Sequence, residues 1–277
     1  FYEPDAWLGY SEIPRLDVEV GQSLKGQHGP TYTFRQFGLI EPRSMGDGRV
    51  NLMVTPAGWP TYAKGEQVTL STTGEKMQKS TPYDFVAITD HSEYYGVLKD
   101  LVDPENPLSK SEFAQGLAKI RTDPKAATPY LVQLINSLNT STAMPEYVTP
   151  ELRMTYWQKY VATADKHYEP GKFTTLYGFE WTSIPNGQNM HRNVFFKDKP
   201  GPFAYSAFDS IHPQDLWTHL EGLRQQGIDV FAIPHNSNVS NGWMFSENEF
   251  LGGPMGKRYA KRQAENEPLF EIIQIKG

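Results

Sequence analysis

Three short apolar runs with polar endings set the frame of the chain. In Asp84-Phe85-Val86-Ala87-Ile88-Thr89, β-branched and aromatic residues crowd together as in a buried strand, and the run stops on Asp90-His91-Ser92-Glu93. Phe173-Thr174-Thr175-Leu176-Tyr177-Gly178-Phe179 runs in the same way into Glu180, and Val230-Phe231-Ala232-Ile233-Pro234 runs into His235. A fourth run, Met190-His191-Arg192-Asn193-Val194-Phe195-Phe196, follows Ile184-Pro185-Asn186-Gly187. The Asn-Gly pair predicts a hairpin, with His191 on the return strand opposite the site of Glu180.

Helical spacing fills the gaps. Thr149 is placed as an N-cap with Pro150 at the first helical position, and Leu152, Tyr156, Tyr160 and Thr163 recur along one side, widened by Trp157, Val161 and Ala164. That aromatic stripe reads as a core face, and Pro170-Gly171 ends the segment. Pro213, Asp215, Leu216, Leu220 and Leu223 predict a second helix, stopped by Gly227 in the left-handed conformation. Residues 111–120 and 130–138 are further helical candidates within a proline-rich excursion over residues 100–149. Tyr94-Tyr95-Gly96 closes the turn after the first strand, and Leu269-Phe270-Glu271-Ile272-Ile273-Gln274-Ile275 forms a last strand-like run.

Helix, glycine, strand and polar terminus is the alternation of an α/β fold with parallel strands. In a barrel of such strands, the side chains just past the strand C-termini converge on one mouth, so the three endings predict a single polar site. We expect one domain over residues 55–277. Residues 1–54 show no sustained period of 2 or 3.6 and read as an irregular or aberrant segment, His28 being a lone loop histidine.

A formal net charge of -6 gives no electrostatic reason to bind nucleic acid or an anionic membrane. No apolar run approaches the roughly 20 residues that span a bilayer, and no charged-then-apolar leader opens the chain. The chain reads as soluble. With no cysteine, a thiol nucleophile and iron-sulfur clusters are excluded, so any metal is held by nitrogen and oxygen, which leaves zinc, manganese or iron. A cysteine-free chain that opens on Phe1 is compatible with a periplasmic or secreted location, and the ends of the chain suggest a fragment. Oligomeric state is not legible.

The chemistry-bearing candidates are Asp90, His91, Glu93, Glu180, His191 and His235. Each has a bland reading: His91 as a turn histidine, Glu180 as a helix-start carboxylate, His235 as the neighbour of an Asx turn. Together they argue otherwise, because burying charge-capable groups beside apolar strands is costly unless a metal or partner compensates. Arg192, Asn236 and Asn238 lie beside them in sequence. A guanidinium there suits an anionic group on a small-molecule substrate, with the asparagines donating to the same anion; a structural ion pair is the alternative for Arg192. His167, His212 and His219 read as ordinary helix and cap residues.

Ala87-Ile88-Thr89-Asp90-His91-Ser92-Glu93-Tyr94, Gly178-Phe179-Glu180-Trp181-Thr182, Met190-His191-Arg192-Asn193, Ile233-Pro234-His235-Asn236 and the stretch from Glu267 to Gly277 resemble a bacterial family catalogued as a domain of unknown function. That family is itself similar to the PHP (polymerase and histidinol phosphatase) superfamily. The resemblance implies a distorted, TIM-like β/α barrel, a cluster of two or three metal ions, and hydrolysis of a phosphoester or related ester through a metal-activated water. By motif it implies His91, Glu180, His191 and His235 as metal ligands, with Asp90 and Glu93 in catalytic or supporting roles. Two family motifs are missing, an opening His-x-His and a late Asp-x-His, so the barrel is expected to be incomplete and the segment before about Val54 to be a shifted reading frame or a divergent replacement. A chain lacking both motifs also fits a second expectation, a catalytically incomplete fragment or binding module that holds at most one ion.

Overall fold

The structure, a computed structural model, describes residues 58–69, 76–119 and 122–272. The expectations for His28, for residues 1–54 and for the missing first motif lie outside the described residues, as do residues 273–275 of the last strand-like run. Of the described residues, one compact unit takes 58–69, 76–86, 96–119, 122–135 and 163–175, and a second takes 87–95, 136–162 and 176–272.

In chain order the elements are α1 (Gly58–Ala63), β1 (Val68–Thr69), β2 (Lys76–Met77), β3 (Phe85–Ala87), α2 (Val97–Leu101), α3 (Glu112–Ala118), α4 (Pro124–Asn139), α5 (Pro150–His167), β4 (Thr174–Trp181), β5 (Arg192–Phe196), α6 (Pro213–Gln225), β6 (Val230–Pro234) and α7 (Lys257–Asn266). β1 and β2 form a small antiparallel pair, and the main sheet runs β3-β4-β5-β6. The class is α/β, as expected. The parallel arrangement is corrected: β4 with β5 and β5 with β6 are antiparallel, and a parallel bridge joins His91 to Glu180, so the sheet is mixed. Among the described residues it has four strands and does not close on itself. The first strand is also shorter and more open than its apolar run suggests, with Phe85 62% exposed.

In the first unit a helical core gathers Leu98, Leu101, Phe113, Ala114, Leu117, Ala127, Leu131 and Leu134. α3 begins where Ser111 accepts from the Ala114 N–H at 3.0 Å. α4 starts six residues before the expected segment, because Asp123 accepts from the Ala126 N–H at 3.1 Å and Pro129 sits inside the helix. So near the helix start, its missing N–H forfeits a single bond.

The second unit is organised by aromatic packing against the sheet. Trp157 is buried on α5 and meets Tyr95, Tyr160, Phe179 and Phe196, and its indole N–H donates to the Gly201 carbonyl at 2.6 Å. The Thr149 cap is present, accepting from the Leu152 N–H at 3.3 Å. On α6, Leu216, Trp217, Leu220 and Leu223 are buried, and Gly227 at φ 78° ends the helix as its position predicted. Asn186 and Gly187, at φ 53° and 76°, take the two left-handed positions that the hairpin signal requires.

Tyr160 fastens the approach to the sheet end. Its hydroxyl donates to the Ile88 carbonyl at 2.7 Å and accepts from the Gly178 N–H at 3.2 Å. Gly178 is held to hydrogen by close packing, since a Cβ there would stand 2.8 Å from the Val194 carbonyl oxygen and 3.0 Å from Thr89 Cγ2. Gly178→Ala is therefore expected to destabilise the fold by about 1–3 kcal/mol, the usual cost of overpacking, read as a lowered urea midpoint.

Candidate metal centre

Strand register explains why distant residues meet. Trp181 pairs with Arg192, and Arg192 pairs with Pro234. In this antiparallel arrangement the C-terminal end of β4, the N-terminal end of β5 and the C-terminal end of β6 share one end of the sheet. Glu180, His191 and His235 stand at those three positions. The bridge to His91 adds the chain just past β3, secured by the Glu180 N–H donating to Asp90 O and the Ser92 N–H donating to Glu180 O, each at 2.8 Å. The convergence expected from the sequence is present, but mixed pairing produces it.

Glu180 is the centre. Its Oε1 lies 2.7 Å from His191 Nδ1 and 2.7 Å from His235 Nε2, and its Oε2 lies 3.5 Å from His91 Nδ1. All four side chains are buried, Glu180 to 1% exposure. Burial opposes the charged form of Glu180, yet His91, His235 and His191 together outweigh it and hold the carboxyl well below the usual range. Glu180, His191 and His235 each offer a ligand atom, all within 4.8 Å of one another, and this buried group could hold a metal ion. His91 flanks that group, with Nδ1 in close contact with the Thr182 hydroxyl.

Asp90 is half-buried, and its carboxyl is pushed up to about 6, first by burial and then by the charge of Glu180. Burial also pushes Glu93 up to about 7, against hydrogen bonds led by the Ala207 N–H. Glu93 Oε1 accepts from Ala207 N at 2.7 Å and Thr182 N at 3.3 Å, while its Oε2 stands 4.0 Å from His91 Nδ1. It ties two backbone segments to the flank of the site.

Arg192 is placed differently from the expected anion clamp. Its side chain is 1% exposed; Nε donates to Glu267 Oε1 at 3.0 Å, and Nη1 donates to the Met190 carbonyl at 2.6 Å. Strand alternation turns adjacent side chains to opposite faces, so the residue following His191 is directed elsewhere. The structural ion pair is the correct reading of its geometry. Asn236, at φ 62°, is buried and donates its backbone N–H to Glu271 Oε2 at 3.1 Å, and Asn238 is exposed on the short 3₁₀ turn Ser237–Val239. The remaining described histidines lie elsewhere: His167 in the last turn of α5, His212 against Phe250, and His219 stacked on Tyr205.

Three residues escaped the sequence reading. Thr182 and Asn193 sit two positions after Glu180 and His191, and in strands that spacing returns to the same face. Asn193 Nδ2 lies 2.7 Å from His235 Nδ1. Period 2 could have found both. Glu267 carried no such signal.

No curated protein and no solved structure matches the chain. A family model described as "Protein of unknown function (DUF3604)" matches residues 44–277, and the chain belongs to that family.

Proposed function

We propose that this chain is a metal-dependent hydrolase of a phosphoester or related ester, built on a distorted β/α barrel of the PHP type and acting on a small anionic substrate. The observation that carries this reading is Glu180 Oε1 at 2.7 Å from imidazole nitrogens of both His191 and His235, in a buried setting. Two imidazoles and a carboxylate with no thiolate suit zinc, manganese or iron, so the residues present fit such an ion. When bound, a divalent ion supplies Lewis acidity and a water acidified toward neutral pH. The chain's own part is to keep Glu180 ionised, aim His191 and His235 at it, and hold His91 beside the group. The barrel reading is supported by Glu271, whose N–H donates to Pro234 O, the last residue of β6, at 3.0 Å.

Protein purified without chelator is expected to carry close to one equivalent of zinc, manganese or iron, and to hydrolyse a generic phosphomonoester or diester with Mn²⁺ added. His91→Ala should reduce that turnover on the order of 10²-fold, in line with groups adjoining a metal, whereas His167→Ala should leave it unchanged. Metal-free protein that stays inactive when loaded overturns the hydrolase.

A second reading, a binding module holding one ion, is favoured by two observations. Among the described residues the ligand group comprises three residues, which is one ion's worth, and Arg192 is committed to Glu267. Tight binding of one Mn²⁺ or Zn²⁺ without hydrolysis of any ester tested would select it.

A further inference from the structure

His235 touches the candidate ligand group through one ring nitrogen and Asn193 through the other. Nε2 lies 2.7 Å from Glu180 Oε1, and Nδ1 lies 2.7 Å from Asn193 Nδ2. An amide nitrogen can only donate, so Nδ1 is the acceptor, and a neutral imidazole then carries its proton on Nε2 and donates it to Glu180. In that tautomer Nε2 has no lone pair to give to an ion. The other end of the amide, Asn193 Oδ1, is buried with no hydrogen-bond partner. Turning the amide by half a revolution exchanges two ends of nearly equal size, presents the oxygen to Nδ1, and requires the proton there. Nε2 is then left with its lone pair directed at Glu180.

We propose that Asn193 is the positioning residue of His235, its amide nitrogen facing Nδ1 while His235 donates to Glu180 and its amide oxygen facing Nδ1–H when Nε2 takes an ion. This rests on the reading of Glu180, His191 and His235 as ligands. The strand supports the role: Asn193 pairs with Glu180 on one side and Ile233 on the other, so its backbone is fixed by both neighbouring strands while its side chain reaches His235. Ligand histidines generally need an acceptor on the second nitrogen, which fixes the tautomer and raises basicity. Here the acceptor is reversible because the residue is an amide rather than a carboxylate.

Two measurements test this. The first is ¹⁵N NMR of the His235 ring in full-length protein, without metal and with Zn²⁺. The expected result is an Nε2–H tautomer without metal and an Nδ1–H tautomer with Zn²⁺. The second is the Zn²⁺ dissociation constant by chelator competition for Asn193→Leu and Asn193→Asp. Leucine removes both hydrogen-bonding ends and should weaken binding about 10–100-fold, while aspartate, which can only accept from Nδ1–H, should stay within about 3-fold of the wild type or bind more tightly. Wild type that binds Zn²⁺ with no change of tautomer, or Asn193→Leu binding as tightly as wild type, overturns the positioning role and leaves the metal centre standing. Wild type that binds no divalent ion overturns both.

Discussion

Glu180→Gln is expected to abolish divalent-ion binding and hydrolysis together. One oxygen of this carboxylate stands 2.7 Å from both His191 and His235, and the other 3.5 Å from His91, so a single anion faces three imidazoles inside a buried site. Glutamine keeps the shape, removes the charge, and turns one of the two ends into a donor. The loss in turnover should be on the order of 10³-fold or more, because a Lewis acid held by Glu180 would contribute several kcal/mol to the proposed reaction. Calorimetric titration with Mn²⁺ or Zn²⁺ should show no tight binding, while circular dichroism shows a folded protein. A variant that keeps affinity and turnover within about tenfold, or 1.4 kcal/mol, would mean that the carboxylate is structural.

Arg192→Ala should act on stability. The guanidinium and Glu267 are 1% and 2% exposed at 3.0 Å, and the Trp217 indole N–H donates to the same carboxylate oxygen at 2.7 Å. Removing one partner of a buried pair leaves the other charge uncompensated, with a cost of about 3–5 kcal/mol. At about 2–4 °C per kcal/mol for a domain of this size, the melting midpoint should fall on the order of 10 °C. At temperatures where the variant remains folded, KM for an anionic ester should change little. A large rise in KM with an unchanged melting midpoint would restore Arg192 as a substrate-binding group.

The difference between these two residues shows what the sequence could convey. Polar endings on apolar runs are local signals, and they marked His91, Glu180 and His235 without any knowledge of pairing, while the Asn-Gly turn signal marked His191. Asn186-Gly187 and Gly227 were legible for the same reason, since their positive φ values of 53°, 76° and 78° are demanded by the turn and the helix end themselves. Strand direction is not local. A short apolar run reads alike in parallel and antiparallel sheets, and only the register Trp181↔Arg192↔Pro234 decides that β5 runs against its neighbours. Nor could a sequence pair Arg192 with Glu267, which lies 75 positions away. α7 escaped notice because its ten residues, Lys257–Asn266, are mostly charged or polar, and only Tyr259, Ala260 and Ala264 mark its apolar side. Asn193 was within reach: two residues past a candidate ligand on a strand is a place to look for what holds that ligand.

Anomalous diffraction from crystals of chelator-free protein, collected on either side of the zinc, manganese and iron edges, tests the shared-cation claim most directly. We predict one peak bonded by Glu180, His191 and His235, with the Glu180 contacts to both imidazoles replaced by bonds to the ion. Crystals soaked in Zn²⁺ or Mn²⁺ that show no peak there, with Glu180 still hydrogen-bonded to His191 and His235, would contradict it.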